Sequence, residues 1–211
     1  MLQVGNRLPA SLMNDNLFVE LYPVVMQMLR DTLPRDLYYH NPGHTDDVIA
    51  SAERIAVSEQ CNPEEILLLK LAALFHDTGY VRDMREHEKH GCNIAREMLT
   101  ERQLEPEKIE IICGIIMATR IPQSPNTKLE RIICDADLDY LGRNDYDPIA
   151  QNLYREFLAF NKIKDESDWI SLQQNFLKAH RYFTQTSIRL RQPGVNQNLK
   201  KINEAALNRA S

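Results

Sequence analysis

An all-helical fold is what this 211-residue sequence predicts, on three observations. Apolar residues recur at helical spacing through most of the chain, caps and prolines punctuate them, and no alternating stretch is long enough for a strand. Internal repeats and low-complexity segments are absent from the sequence. The expectation is a single domain over residues 1–211, with its central motifs at 38–142 and C-terminal helices at 147–211 packing on that core.

The first helix spans Leu17 to Leu33 and stops at Pro34. A turn-rich loop, Tyr38-Tyr39-His40-Asn41-Pro42-Gly43, leads into a helix over Thr45 to Val57, with Val48, Ile49, Ala52 and Ile55 inward and His44 or Thr45 near its N-cap. Asn62-Pro63-Glu64-Glu65 is the strongest start signal in the chain, with a capping residue, proline at the first helical position and glutamate at the capping-box position. The helix it opens is apolar on most faces from Ile66 to Phe75, which suits a central helix surrounded by others. It carries His76 and Asp77 in its last turn, and Gly79 is expected to close it in the left-handed conformation.

Glu86 to Gln103 reads as a helix with Ile94, Ala95, Met98 and Leu99 inward. His87 shares that stripe and faces in, whereas His90 falls at its edge. Pro106 opens a helix to about Thr119. After the loop Arg120 to Asn126, Asn126 or Thr127 caps another, which runs to Leu141 and stops at Gly142. Its end carries Asp135, Asp137 and Asp139. Register places Asp137 on the apolar face and the other two toward solvent, and an acid on a buried face needs a cation or donors. Further helices are expected over Asp147 to Lys162, Asp165 to Arg191 and Asn196 to Ala210. Pro193-Gly194 marks a break before the last, and Phe157, Trp169, Phe176, Leu177 and Phe183 supply packing.

The hydrophobic fraction of 43%, charged fraction of 26% and net charge of −5 argue against a nucleic-acid partner, because no basic excess would neutralise phosphates. Four scattered cysteines without a Cys-x-x-Cys pair fit reduced thiols rather than a zinc ribbon. Met1 to Asn16 lacks the pattern of a secretory signal, and no run reaches the roughly 20 apolar residues that cross a bilayer. A cytoplasmic protein without a membrane partner is the expectation, and a homo-oligomer is compatible with it.

His44, His76, Asp77 and Asp137 thus stand at helix ends or on buried faces. Two imidazoles and two carboxylates suit a divalent ion such as Mn, Fe, Ni, Co, Mg or Zn, without selecting among them. An octahedral ion with four protein ligands keeps positions for water and substrate, which is the chemistry of phosphoester hydrolysis.

The order of these motifs, a His, then His-Asp at the end of an apolar helix, then Asp135-Ala136-Asp137, resembles the HD-domain superfamily of metal-dependent phosphohydrolases over Tyr38 to Gly142. The resemblance implies an HD-domain helical bundle with His76-Asp77 on its central helix. It also implies the four residues as metal ligands and a small-molecule phosphoester substrate, a nucleotide above all. A narrower stretch, His40-Asn41-Pro42-Gly43-His44-Thr45-Asp46-Asp47-Val48, is similar to the His-Asn-x-x-His-x-x-Asp-Val signature of class I cyclic nucleotide phosphodiesterases, which implies His40 as the acid that protonates the leaving oxygen. Relatives with several metals have further histidines. The first corresponds to His87, whereas Met117 to Arg120 stand where a later one falls, so one metal site is expected and a second is allowed through Asp77 and His87. Arg82, Lys89 and Arg120 lie near the loops expected to rim the site and are candidates for phosphate. The sequence therefore reads as a metal-dependent phosphomonoesterase or phosphodiesterase with His40 and Asp77 catalytic. The alternative is a weakly active or non-catalytic regulatory module that binds a nucleotide or metal.

Overall fold

The computed structural model describes the backbone of residues 10–210 and the side chains of 16–207. The expectation made for Met1 to Asn16 falls partly outside that description, which omits residues 1–9. The described chain forms nine α-helices and no strand: α1 (Ala10–Thr32), α2 (Pro42–Ser58), α3 (Pro63–Phe75), α4 (His87–Glu101), α5 (Pro106–Ala118), α6 (Lys128–Asp137), α7 (Tyr146–Ala159), α8 (Glu166–Ala179) and α9 (Gln185–Ala210). Short 3-10 turns cover Thr78–Val81 and Asp139–Gly142. Among the described residues no helix is long and apolar enough to cross a membrane.

α3 is the hub. Its capping box forms as the sequence requires, with the Asn62 side chain accepting from the Glu65 N–H and the Glu65 carboxylate accepting from the Asn62 N–H. Residues Leu67–Leu69 and Leu71–Phe75 are buried, and α3 packs against α1, α2, α4, α5 and α6. Thr127, rather than Asn126, caps α6, again through a capping box with Glu130.

Several local expectations are corrected. Gly79 does not take the left-handed conformation, and no described glycine does. α3 ends at Phe75, and the chain continues through His76 and Asp77 into the 3-10 turn. Gly79 is needed for space instead, since a Cβ there would lie 1.8 Å from the His87 carbonyl oxygen at the start of α4. Pro193-Gly194 does not break the last helix, because α9 runs through both. A Cβ on Gly194 would come within 2.1 Å of the Gly142 carbonyl oxygen, so the pair marks where α9 presses on the 3-10 turn after α6. The break falls earlier, at 180–184, between α8 and α9. There the Tyr182 hydroxyl donates to the Leu138 carbonyl at 3.0 Å.

The three aspartates also differ from expectation. Asp135 and Asp139 are 0% and 1% exposed, so neither faces solvent. Asp135 accepts from the backbone N–H groups of Phe183 and Thr184 and from the Thr184 hydroxyl, just ahead of α9. Asp139 pairs with Arg54 at 2.8 Å and Arg191 at 2.9 Å. Periodicity within α6 cannot register a helix that arrives some fifty residues later and covers its other side. Donors and cations are nonetheless what a buried acid demands, and both residues have them.

Candidate metal centre

The four candidate ligands selected from the sequence come together. Asn41 caps α2, accepting from the N–H groups of Gly43 and His44 at 2.8 and 3.3 Å, and so fixes His44 in the first turn. His76 and Asp77 follow α3 directly, and Asp137 is the last residue of α6. The His44 and His76 Nε2 atoms are 3.3 Å apart. Asp77 Oδ2 lies 3.6 and 3.3 Å from them, and Asp137 Oδ1 3.2 and 3.6 Å. His44, His76 and Asp77 form the tightest group, all buried and with ligand atoms within 4.8 Å of one another. The Asp137 side chain is 16% exposed and closes the remaining side.

The donor set fits a cation. His76 Nδ1 donates to the Ala73 carbonyl at 2.7 Å, so its Nε2 lone pair is free to point at the centre. Asp77 Oδ2 is buried and has no hydrogen-bond partner. With ligand bonds of about 2.0–2.2 Å, neighbouring ligands of one ion lie roughly 3.0–3.6 Å apart, which is the spacing seen. Burial works to lower the His76 pKa, but the charge of the adjacent Asp77 carboxylate carries it up to about 9. Burial raises the Asp77 carboxyl, and His76 more than reverses it, holding the group well below the usual carboxylate range. A negative centre lined by lone pairs attracts a proton or a metal, and two imidazoles with two carboxylates are sufficient ligands for the metal.

His87 is brought to the same aspartate from the other side. Its Nε2 lies 3.5 Å from Asp77 Oδ1 and 3.5 Å from Glu88 Oε1, and its ring stacks on Tyr80 with centroids 4.1 Å apart. Burial lowers its pKa against the opposing pull of Asp77 and Glu88. Asp77 therefore presents one oxygen to the two central histidines and the other to His87.

His40 reaches the site with a partner that the sequence reading missed. Glu156 of α7 is 1% exposed. Its Oε2 accepts from the backbone N–H groups of Tyr39 and His40 at 2.9 and 3.0 Å, and its Oε1 pairs with His40 Nδ1. Burial alone would lower the His40 pKa, but the hydrogen bond to Glu156 and the charge of Asp77 raise it. Burial likewise would raise the Glu156 pKa, and its bond to His40 lowers it. A signal for Glu156 did exist. It lies three residues after Leu153 and seven after Ile149, so it is an acid on an apolar helix face, the criterion that selected Asp137.

A cavity of about 480 Å³ opens beside the cluster, bounded by Asp77, Asp137, His40, His87 and Glu88 at one end and by α7 and α8 at the other. Of the three basic candidates, Arg120 lines it. Arg82 and Lys89 do not: Arg82 pairs with Glu97 at 3.0 Å and Lys89 with Glu86 at 3.6 Å, both on the outer surface. Lys162, not foreseen from sequence, lies at the cavity wall.

The all-helical domain thus has a buried His-Asp pair after its central helix, beside a preceding histidine and a later aspartate, and His44, His76 and Asp77 could hold a metal ion. Residues 43–139 match the HD domain family model. The structure is similar to the crystal structure of a predicted HD superfamily hydrolase from an uncultured Thermotogales bacterium, with a TM-score of 0.57 at 18% identity over 90% of this chain and 92% of that one. At that identity the likeness concerns the fold. No match is found among curated proteins. Neither match supports the cyclic nucleotide phosphodiesterase resemblance around His40.

Proposed function

We propose that the protein is a metal-dependent phosphohydrolase acting on a phosphoester of a small molecule. The observation that carries this reading is the convergence of two imidazole Nε2 atoms with two carboxylate oxygens 3.2–3.6 Å from them, beside one end of a cavity, with Asp77 Oδ2 lacking a hydrogen-bond partner. It accords with the HD domain match and with the hydrolase name of the structural relative. His44, His76, Asp77 and Asp137 would hold a divalent ion. When bound, such an ion supplies Lewis acidity toward a phosphoryl oxygen and lowers the pKa of water. A second ion, between Asp77 Oδ1 and His87, is a further element of the proposal.

The protein's own groups supply the rest. Hydrolysis breaks a P–O bond; water gives its oxygen to phosphorus and a proton must reach the departing alkoxide. His40 is the donor in this reading. Glu156 fixes its Nδ1–H, leaving Nε2 to meet the leaving oxygen, and its hydrogen bond raises the His40 pKa against the effect of burial. Tyr80 packs between His40 and His87, with centroids 4.7 and 4.1 Å away, and keeps both rings in place. Arg120 meets phosphate charge at the rim. The helices after residue 147 belong to the same functional unit in this proposal, because Glu156 completes the acid.

The test is metal analysis of the purified protein together with a phosphoester panel that includes nucleotides, aryl and alkyl monoesters and diesters. Wild type should retain about one equivalent of a divalent metal and release phosphate or a phosphomonoester. Asp77→Ala should lose the metal and bring turnover to background, and full activity in that variant would remove the assignment.

A further inference from the structure

The cavity extends past the atoms that hydrolysis needs, and its two ends differ in kind. The end at α3 and α6 is polar. The other is walled by Leu153, Phe157, Trp169, Leu172 and Phe176 of α7 and α8. The polar side chains at that end are already engaged. Gln173 donates to the Tyr146 hydroxyl at 2.6 Å, and the Lys162 amine lies 5.0 Å over the Phe157 ring. Leu172 remains 36% exposed although its neighbours belong to the second hydrophobic cluster. A wall of this composition recognises hydrocarbon and offers little to a ligand rich in donors and acceptors. Each ligand polar atom buried there without a partner weakens binding roughly fivefold to a hundredfold, which weighs against a nucleobase edge. Each methylene buried there strengthens binding about fourfold.

Resting on the phosphohydrolase reading for the reacting end, we propose that the substrate is amphipathic: the phosphoester of an apolar alcohol or phenol, with its hydrocarbon part between α7 and α8 and its phosphoryl group at the ligand cluster.

Trp169 is the chain's one tryptophan and lines the apolar end. Its emission therefore reports occupancy there without any turnover. The experiment titrates the protein with n-alcohols from pentanol to octanol and with adenosine, and in parallel measures kcat/KM for the corresponding n-alkyl phosphates and for adenosine monophosphate. The expected result is a saturable emission change whose midpoint falls about fourfold per added methylene, with adenosine binding more weakly than octanol. kcat/KM for the alkyl phosphates should rise by a similar factor per methylene. Leu172→Asn should raise the octanol midpoint severalfold, and because Leu172 is partly exposed that variant spares the buried core. Phe176→Asn provides a second variant with the same expected shift. No saturable change, a midpoint that ignores chain length, or tighter binding of adenosine than octanol would each overturn the proposal. The two readings fail separately. Chain-length-dependent alcohol binding with no phosphoester cleaved leaves the apolar site standing and removes the phosphohydrolase reading. Hydrolysis that ignores chain length does the reverse.

Discussion

The molecule has two hydrophobic clusters, and they are built differently. The first surrounds α3 and is mainly aliphatic, with Leu69, Leu71, Ala72, Leu74 and Phe75 at 0% exposure. The second gathers Tyr39, Tyr140, Tyr146, Trp169 and Tyr182 with residues of α7–α9, and much of its border is half-buried. Close-packed aliphatic side chains leave no room to shift, so the first cluster fixes His76 and Asp77 where α3 ends. Rings with polar tips pack less completely and leave a space between them. His76 and Asp77 follow the hub helix of the tight cluster, and the cavity wall comes from the loose one, so under the proposed function the chemistry and the choice of substrate are separated.

The contrast is broken most directly by removing volume from each side. Leu71→Ala should cost about 3–5 kcal/mol of stability, because a fully buried side chain at the hub leaves a cavity that its neighbours cannot fill. Leu172→Ala, at a partly exposed wall position, should cost less than about 1 kcal/mol. Urea denaturation of both variants measures the difference. Equal losses would mean that the two clusters pack alike.

Next in size is a backbone contact within the second cluster, between the neighbours of Leu141 and Val195. Gly194 meets Gly142 so closely that an added Cβ would lie 2.1 Å from a backbone oxygen, which cannot rotate away. Gly194→Ala should therefore destabilise by about 3 kcal/mol, near the upper end of the overpacking range. The strain falls on α9 and the turn after α6, away from α3. Metal content should survive in the folded fraction. A neutral effect in thermal and urea unfolding would show that α9 is free to slide on that turn.

The sequence revealed the first cluster better than the second, for a physical reason. α3 announces itself locally, through its capping box and nearly continuous apolar run, and the four candidate ligands lie at or near helix ends that such signals delimit. What escaped depends on contacts between distant segments. Asp135 and Asp139 are buried by α9, Pro193 stays within a helix whose next residue is pressed on Gly142, and Gly79 answers to the carbonyl of His87 rather than to its own φ. None of these is encoded in the periodicity of one element. Glu156 is the exception, because the rule applied to Asp137 finds it once it is applied to α7.

Glu156, on α7 beside the second cluster, holds His40 at the candidate metal centre, and its effect has a sign that pH can test. The His40 pKa is raised in the fold, so its part of the pair's stability is fully present below the unfolded value of about 6.5 and is lost as pH rises through the folded value. The Glu156 pKa is lowered, so its part is present above about 4.5 and is lost as pH falls through the folded value. The pair therefore contributes most between about pH 4.5 and 6.5. Glu156→Gln should be less stable than wild type by about 2 kcal/mol at pH 5.5, the scale of a charged hydrogen bond, and the gap should narrow by pH 9. If His40 is the acid, the same variant loses the support that keeps the ring protonated, and the alkaline limb of kcat/KM moves to lower pH. A stability gap constant from pH 5 to 9 would reduce Glu156 to a backbone anchor for residues 39 and 40, whereas a narrowing gap with an unmoved alkaline limb would keep the ion pair and remove His40 from proton transfer.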